Sequence, residues 1–189
     1  FLVRALSTGD GSIRKFVLAD GLGLDAIETG ATVTIGSAAT MAVIARAPGL
    51  AFLRPVALSI GGPAIRTMAT VGGNLFARSP YGDFAVALLA LGASVARATA
   101  DGESSEDLEA FLARDTAGGI VRSVGFARPA EGAFRYLKVT RKHPHGASLL
   151  SIAALLPVSD GRVSGARVAY GAMAPRPMRA RAVEAALEG

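Results

Sequence analysis

Residues 69–74 read Ala-Thr-Val-Gly-Gly-Asn, inside the longer string IRTMATVGGNLFARSPYGDF at 65–84. Two adjacent glycines among Ile, Val and Leu are destabilising, since each weakens an element by roughly 0.5–1 kcal/mol relative to alanine. Binding chemistry would account for them. Gly72 and Gly73 carry no Cβ, so consecutive main-chain N–H groups can face an anion such as a pyrophosphate without steric exclusion. Thr70 can donate a hydroxyl and Asn74 an amide, and Ser79 and Asp83 follow within reach of the same loop. A carboxylate repels phosphate, so Asp83 suits a ribose or adenine edge, where it accepts a hydrogen bond. The competing explanation is a bulge or helix-to-strand turn that needs glycine for packing alone. The residues by themselves leave both open.

Other constellations are weaker. His143 and His145 flank Pro144 in one loop, with no acidic residue or Cys nearby to complete a metal site. Gly21 and Gly23 lack the third glycine and the following helix of a dinucleotide fingerprint. There is no G-x-S-x-G elbow for a serine hydrolase and no G-x-x-x-x-G-K-[ST] loop for a nucleoside triphosphate.

The 189 residues suffice for one large domain or two small ones, and a fold of this size buries about 70% of its unfolded surface. With no cysteine, the chain forms no disulfide and ligates no iron–sulfur cluster or thiolate-bound metal, and a reducing cytoplasm is the default compartment. Hydrophobic residues make up 51% and the mean hydropathy is +0.41, yet Gly, Arg and Pro cut the apolar runs short of the ~20 residues of a membrane helix. No secretory leader is recognisable at the start, and the first residues, Phe-Leu-Val-Arg-Ala-Leu, read as the inside of an element. Twenty Lys and Arg against 15 Asp and Glu give a net charge of +5, which raises nucleic acid as a partner. The basic residues are mostly isolated arginines without interleaved aromatics, which favours a soluble Arg-rich surface with room for an anionic ligand.

The elements that must position the glycine motif can be read in order. A strand is expected over 12–20, a turn-rich stretch over 21–30, and a second, alternating strand over 31–36. A helix follows from Ser37, with Ser37 and Thr40 as candidate N-caps and Pro48 as its stop. The helical stretch from Gly49 to Gly62 should kink or break at Pro55. Beyond the motif, residues 83–93 read as a helix ended by Gly92, and 93–99 as a strand. Ser104 and Asp107 suggest a capping box that starts a short acidic surface helix over 104–113, and 119–128 is a strand ending at Pro129. A domain boundary is expected at 129–133, dividing a domain over 1–130 from a smaller one over 131–189. In the latter, Phe134–Thr140, 147–157 and 162–171 read as three antiparallel strands, with a tight Ser-Asp-Gly-Arg turn at 159–162 and a closing helix over 178–189. The class is α+β, without internal repeats.

The strings TIGSAAT, IRTMATVGGNLFARSPYGDF and ALLALGASV, in this order and separation, resemble the FAD-binding medium subunit of the molybdenum hydroxylases, the family of carbon monoxide dehydrogenase and xanthine dehydrogenase. Downstream, FRYLKVTR and GARVAYGAMAPRPMRARAVEAALEG resemble the C-terminal domain of the same subunit, so the resemblance covers almost the whole chain. It implies an FAD-binding domain of the vanillyl-alcohol-oxidase (PCMH) type, in which Thr70, Val71, Gly72, Gly73 and Asn74 form one of two glycine loops gripping the pyrophosphate. Asp83 would contact the adenosine part, Val121 would meet adenine through its backbone, and Ser79 would lie beside the loop. Lys138 matches a lysine near the flavin, where a cation could stabilise reduced anionic FAD; the alternative is a salt-bridged surface lysine.

In such enzymes a molybdopterin-binding large subunit oxidises the substrate and a small subunit carries two 2Fe-2S clusters, from which electrons reach FAD. The resemblance thus implies an oxidoreductase subunit that passes electrons to quinone, NAD or oxygen, with no catalytic acid or base of its own. It implies a dimer of heterotrimers in the cytoplasm, with no nucleic acid bound and no integral membrane segment. The family's other glycine loop, an Ala-Gly-Gly pattern, would fall immediately before Phe1. Pro55, a shortened stretch at 101–107 and the end at Gly189 also depart from the family, so the chain is expected to be truncated at both ends. Three rival readings are a flavin-less interaction module of the same fold, a basic nucleic-acid binder and a stand-alone flavin oxidase.

Overall fold

The computed structural model describes residues 7–9, 11, 18–114, 118–143 and 146–189. The strand expected over 12–20 falls mostly outside them. Strand β1 (Ile27–Thr29) turns back onto β2 (Thr32–Gly36), so the stretch expected to be only turns contributes an edge strand. Val33 and Ile35 of β2 are fully buried while Thr32 is exposed, the alternation of a half-buried strand.

A run of short helices follows. Helix α1 (Met41–Ile44) is capped by Thr40, whose Oγ1 accepts the N–H of Val43; Ser37 is not the cap. Pro48 does not stop this helix, which has already ended. It opens a separate 3-10 turn (Pro48–Leu53) from its first position, where a missing N–H does no harm. Pro55 breaks the expected long helix in the same way, lying in the first turn of α2 (Arg54–Ser59). Helices α3 (Pro63–Arg66) and α4 (Val71–Leu75) precede α5 (Asp83–Ala90), whose eight residues are all buried. A helix apolar on every side belongs inside a core.

Strands β3 (Ser94–Thr99) and β4 (Gly102–Asp107) form a hairpin, and β5 (Ile120–Ala127) completes an antiparallel sheet of order β1-β2-β5-β3-β4. The helix expected from Ser104 is corrected here. Residues 102–107 pair along the whole of β3, and α6 (Leu108–Ala113) starts later, with Asp107 Oδ1 accepting the N–H groups of Glu109 and Ala110. Its Leu108 and Phe111 are buried, so it is not a purely surface helix.

After the 129–133 linker, β6 (Phe134–Thr140), β7 (Ser148–Leu155) and β10 (Arg167–Gly171) form the three expected antiparallel strands. A fourth, β11 (Met178–Arg179), extends the sheet to the order β11-β10-β7-β6, so the closing helix α7 (Arg181–Leu187) starts after it. The Ser-Asp-Gly-Arg turn closes a separate ribbon of β8 (Val158–Ser159) and β9 (Arg162–Val163). Asp160 and Gly161 both have positive φ, as a two-residue hairpin turn of the twisted kind requires.

One apolar cluster joins Val33 and Ile35 of the first sheet, α5, and Ala153 and Ala169 of the second. Phe52 stands edge-on to Phe126 of β5 and to Phe134 of β6, at 6.3 and 6.1 Å between ring centroids, and so links the two sheets. Among the described residues no helix is long and apolar enough to cross a membrane.

Candidate functional site

The glycine motif folds as a single helical turn. Thr70 is extended and its Oγ1 accepts the N–H of Gly73 at 3.0 Å, the N-cap geometry that starts α4. The other leading N–H groups also have internal acceptors: Val71 donates to Ala39 O, Gly72 to Ser37 O at 2.8 Å, and Asn74 to Thr70 O. The N–H groups at positions 72 and 73, expected to face an anion, are thus hydrogen-bonded within the protein. Neither glycine has positive φ, and the N–H groups serve the cap and the connection to residues 37–39. The two glycines do different things. A Cβ on Gly72 would stand 3.2 Å from Ser37 O, so Gly72 allows close packing of backbone on backbone. A Cβ on Gly73 would meet only Thr70 Oγ1, at 3.1 Å, and Gly73 lines a large cleft.

That cleft has a volume of about 1080 Å³. Thr70, Gly73 and Asn74 lie on it, together with the apolar side chains of Ile60, Ile65, Met68 and Phe76 and the ring of Tyr81. Phe76 and Tyr81 are more than half exposed, at 57% and 55%, which leaves large rings facing an open cavity. Sites for cofactors and drug-sized ligands have volumes of about 300–1,000 Å³ and are mostly apolar with a few polar anchors, so this cleft has the size and lining for a large ligand. Asn74 is buried and its Nδ2 donates to Thr70 O at 2.9 Å, a bond that orients its side chain and occupies part of the amide expected to reach a ligand.

Asp83 and Lys138 also line the cleft. Lys138 Nζ lies 2.8 Å from Asp83 Oδ2, with the two side chains only 9% and 6% exposed. Gly82, at φ 91°, delivers Asp83 to the first position of α5; a Cβ at Gly82 would press on Asn74 O at 3.1 Å, and positive φ disfavours any other residue there. Ser148 Oγ donates to Asp83 Oδ1 at 2.8 Å, and Lys138 also donates to Ser59 O at 2.9 Å. Tyr136, one pleat from Lys138, shares a 3.2 Å hydrogen bond with Ser59 Oγ. Burial, reinforced by the negative charge of Asp83, raises the Tyr136 phenol far above its ordinary value, so it stays protonated.

A family model described as "FAD binding domain in molybdopterin dehydrogenase" matches residues 4–126. The chain belongs to this family. Residues 134–189 match a second model, "CO dehydrogenase flavoprotein C-terminal domain". Among solved structures, the chain is similar to a cyanide-inactivated Cu,Mo-CO dehydrogenase, with a TM-score of 0.81 and 26% identity over 91% of this chain and 64% of that one. A CO dehydrogenase from Hydrogenophaga pseudoflava lacking the Mo-pyranopterin moiety gives a TM-score of 0.79 and 26% identity, over 89% of this chain and 62% of that one. Quinoline 2-oxidoreductase from Pseudomonas putida 86 shares the fold, with a TM-score of 0.77 at 24% identity, over all of this chain and 69% of that one. The chain thus spans less than two thirds of the CO dehydrogenase chains it resembles. No curated protein matches.

The structure brings Thr70, Gly73, Asn74 and Asp83, from the residues matched by the first model, and Lys138, from those matched by the second, to one cleft. Val71 is fully buried behind it and Gly72 faces Ser37. Ser79, joined to Pro80 by a cis peptide, is not among the cleft-lining residues, and neither is Val121, whose side chain lies in the core beneath β5. Asp83 and Lys138 were expected at different parts of the ligand. In the structure they touch each other: both carboxylate oxygens accept protein donors, and the lysine charge is balanced by Asp83. Lys138 is salt-bridged, but inside a cleft rather than on the surface. Reading the sequence missed Ile60, Ile65, Met68, Phe76, Arg78, Tyr81, Tyr136 and Ser148; Ile65, Met68, Phe76, Arg78 and Tyr81 stood inside the motif string and Tyr136 inside FRYLKVTR, whereas Ile60 and Ser148 carried no signal. His143 follows β6, and His145 lies outside the described residues. Among the described residues no three His, Cys, Asp or Glu side chains are grouped to hold a metal.

Proposed function

We propose that this chain is the FAD-holding part of a molybdenum hydroxylase, an oxidoreductase complex of the CO dehydrogenase and xanthine dehydrogenase type. The observation that carries the proposal is the cleft of about 1080 Å³, lined by Gly73 and by the buried Asp83–Lys138 pair. Membership of the FAD-binding family supports it. In this reading Ile60, Ile65, Met68 and Phe76 enclose the flavin ring. Gly73 admits the dinucleotide close to the main chain, and Thr70 and Asn74 offer the remaining polar capacity of a hydroxyl and an amide oxygen.

Bound there, FAD supplies an electron carrier between the 2Fe-2S clusters of a partner subunit and an external acceptor. The chain's own side chains bind and orient it. Asp83 and Lys138 present a neutral, fixed dipole rather than a bare cation, so their effect on reduced flavin is directional and small. Tyr136 and Ser148 hold that pair in place, and protonated Tyr136 adds no charge. The role of Val121 would require adenine to reach β5, beyond the cleft, so the proposed site omits it together with Ser79.

Division into an FAD-binding domain over 1–130 and a C-terminal domain over 131–189 belongs to the same proposal; the two family matches end at 126 and resume at 134, on either side of the linker. The assembly proposed is a dimer of heterotrimers in the cytoplasm, with a molybdopterin-binding large subunit and a 2Fe-2S small subunit. Isolation of the native complex through a tag on this chain tests it. Molybdenum, iron and FAD should copurify in fixed ratio, and a colourless preparation without iron or molybdenum would overturn the assignment.

A further inference from the structure

Phe76 caps the end of α4 and lines the cleft, with more than half of its surface exposed. Left to itself, a ring at a helix end swings between staggered rotamers. Here the ring of Phe111, in α6, meets it edge-on, with centroids 5.8 Å apart and planes at 70°. Phe111 is buried in the apolar core and is not among the cleft-lining residues. Helix α6 has six residues, too few to be stable alone, and it is tied down along its length. Asp107 caps its start, Leu108 is fully buried, the Glu109 carboxylate pairs with Arg181, and the Leu112 carbonyl accepts Arg176 Nη1 at 2.9 Å. Both arginines belong to the residues matched by the second family model. The C-terminal segment thereby holds α6, and α6 holds Phe111 against Phe76.

We infer that Phe111 is a positioning residue for the cofactor: without lining the cleft, it fixes the ring of Phe76 as a rigid wall before the ligand arrives. The inference rests on the proposal that the cleft holds FAD, with Phe76 against the flavin ring. Its physical content is preorganisation. A side chain already ordered in its bound position loses less entropy on binding, and an edge-to-face ring pair of this geometry is strong enough to select one rotamer. The expected gain in affinity is about two- to tenfold, the range of one such ring contact.

FAD titrations of the full chain test this, followed by flavin fluorescence and by circular dichroism of the visible flavin bands at saturation. The set is wild type, Phe111→Leu, Phe111→Tyr, Phe76→Leu and the double variant with leucine at both positions. Thermal unfolding without FAD records what each substitution does to the fold. Phe111→Leu should weaken FAD binding by about two- to tenfold and reduce the visible bands, because the achiral flavin ring owes them to fixed surroundings. Phe111→Tyr keeps the ring, and it should bind FAD within about twofold of wild type although its buried hydroxyl lowers Tm. On the Phe76→Leu background, Phe111→Leu should cost no further affinity. Three results would each overturn the role of Phe111 while leaving the FAD cleft in place: wild-type affinity with unchanged visible bands in Phe111→Leu, an equal loss in Phe111→Tyr and Phe111→Leu, or losses at the two positions that multiply. A wild-type chain that takes up no FAD would overturn both.

Discussion

Removing one member of the Asp83–Lys138 pair should be far worse than removing both. Asp83→Leu leaves the Lys138 ammonium, 9% exposed, with only Ser59 O as acceptor. At such burial solvent screens little, and breaking a buried pair from one side costs about 3–5 kcal/mol. For a chain of this size 1 kcal/mol shifts Tm by roughly 2–4 °C, so a drop of about 6–20 °C is expected by circular dichroism. Asp83→Leu with Lys138→Met removes both charges and fills the same space with apolar atoms. The hydroxyls of Ser148 and Tyr136 then lose an acceptor, at about 1 kcal/mol each, against the desolvation of two ions that is no longer required. The double variant should therefore recover most of the lost Tm. A double variant as unstable as Asp83→Leu alone would refute the reasoning, because the two residues would not be acting as one buried unit.

Gly73→Val should change stability by no more than about 1 kcal/mol, since its Cβ meets only Thr70 Oγ1, while flavin fluorescence titration shows FAD affinity lost by at least about tenfold. Gly72→Ala should instead lower stability by about 1 kcal/mol despite the better helix former, because the new Cβ presses on the carbonyl of Ser37; urea unfolding separates the two cases. Thr70→Ala removes the cap of α4 and should cost about 1 kcal/mol by the same measurement. Glu184 gives a pH signature. Burial alone would raise its pKa, but hydrogen bonds from Arg179 and the Val168 N–H, with the charges of Arg179 and Arg181, hold it below the ordinary 4.5. A lowered folded pKa means the stabilisation is present above about pH 4.5 and is lost as pH falls through the folded value. Glu184→Gln should thus unfold earlier than wild type in urea at pH 7, and the gap should close as the pH drops below 4.5.

Much of the fold was legible because local patterns and tertiary packing agree. The all-apolar run Phe84–Ala90 could only be buried, and the alternation at 31–36 and 134–140 gave strands whose faces the structure confirms. Where residue types are ambiguous, packing decided. Residues 102–107 are polar and acidic, so a capping box and an edge strand are equally compatible with them until β3 offers its free edge. The candidate site shows the same division. Gly73 and Thr70 were legible from type and spacing, but a sequence does not say which acceptor an N–H finds; Ser37 O accepts that of Gly72 and Thr70 Oγ1 that of Gly73. Asp83 and Lys138 lie 55 positions apart, and only the packing of α5 against β6 and β7 turns two separate candidates into one ion pair. Ser148 carried no motif and Tyr136 stood in FRYLKVTR without a role; they matter because the fold sets them beside that pair.

The central claim is the location of the flavin, and a crystal structure of the full chain loaded with FAD tests it most directly. Density for the isoalloxazine ring among Ile60, Ile65, Met68 and Phe76, with the phosphates passing Gly73, is the predicted result. Density for FAD elsewhere on the chain, with this cleft filled by solvent, would contradict the account.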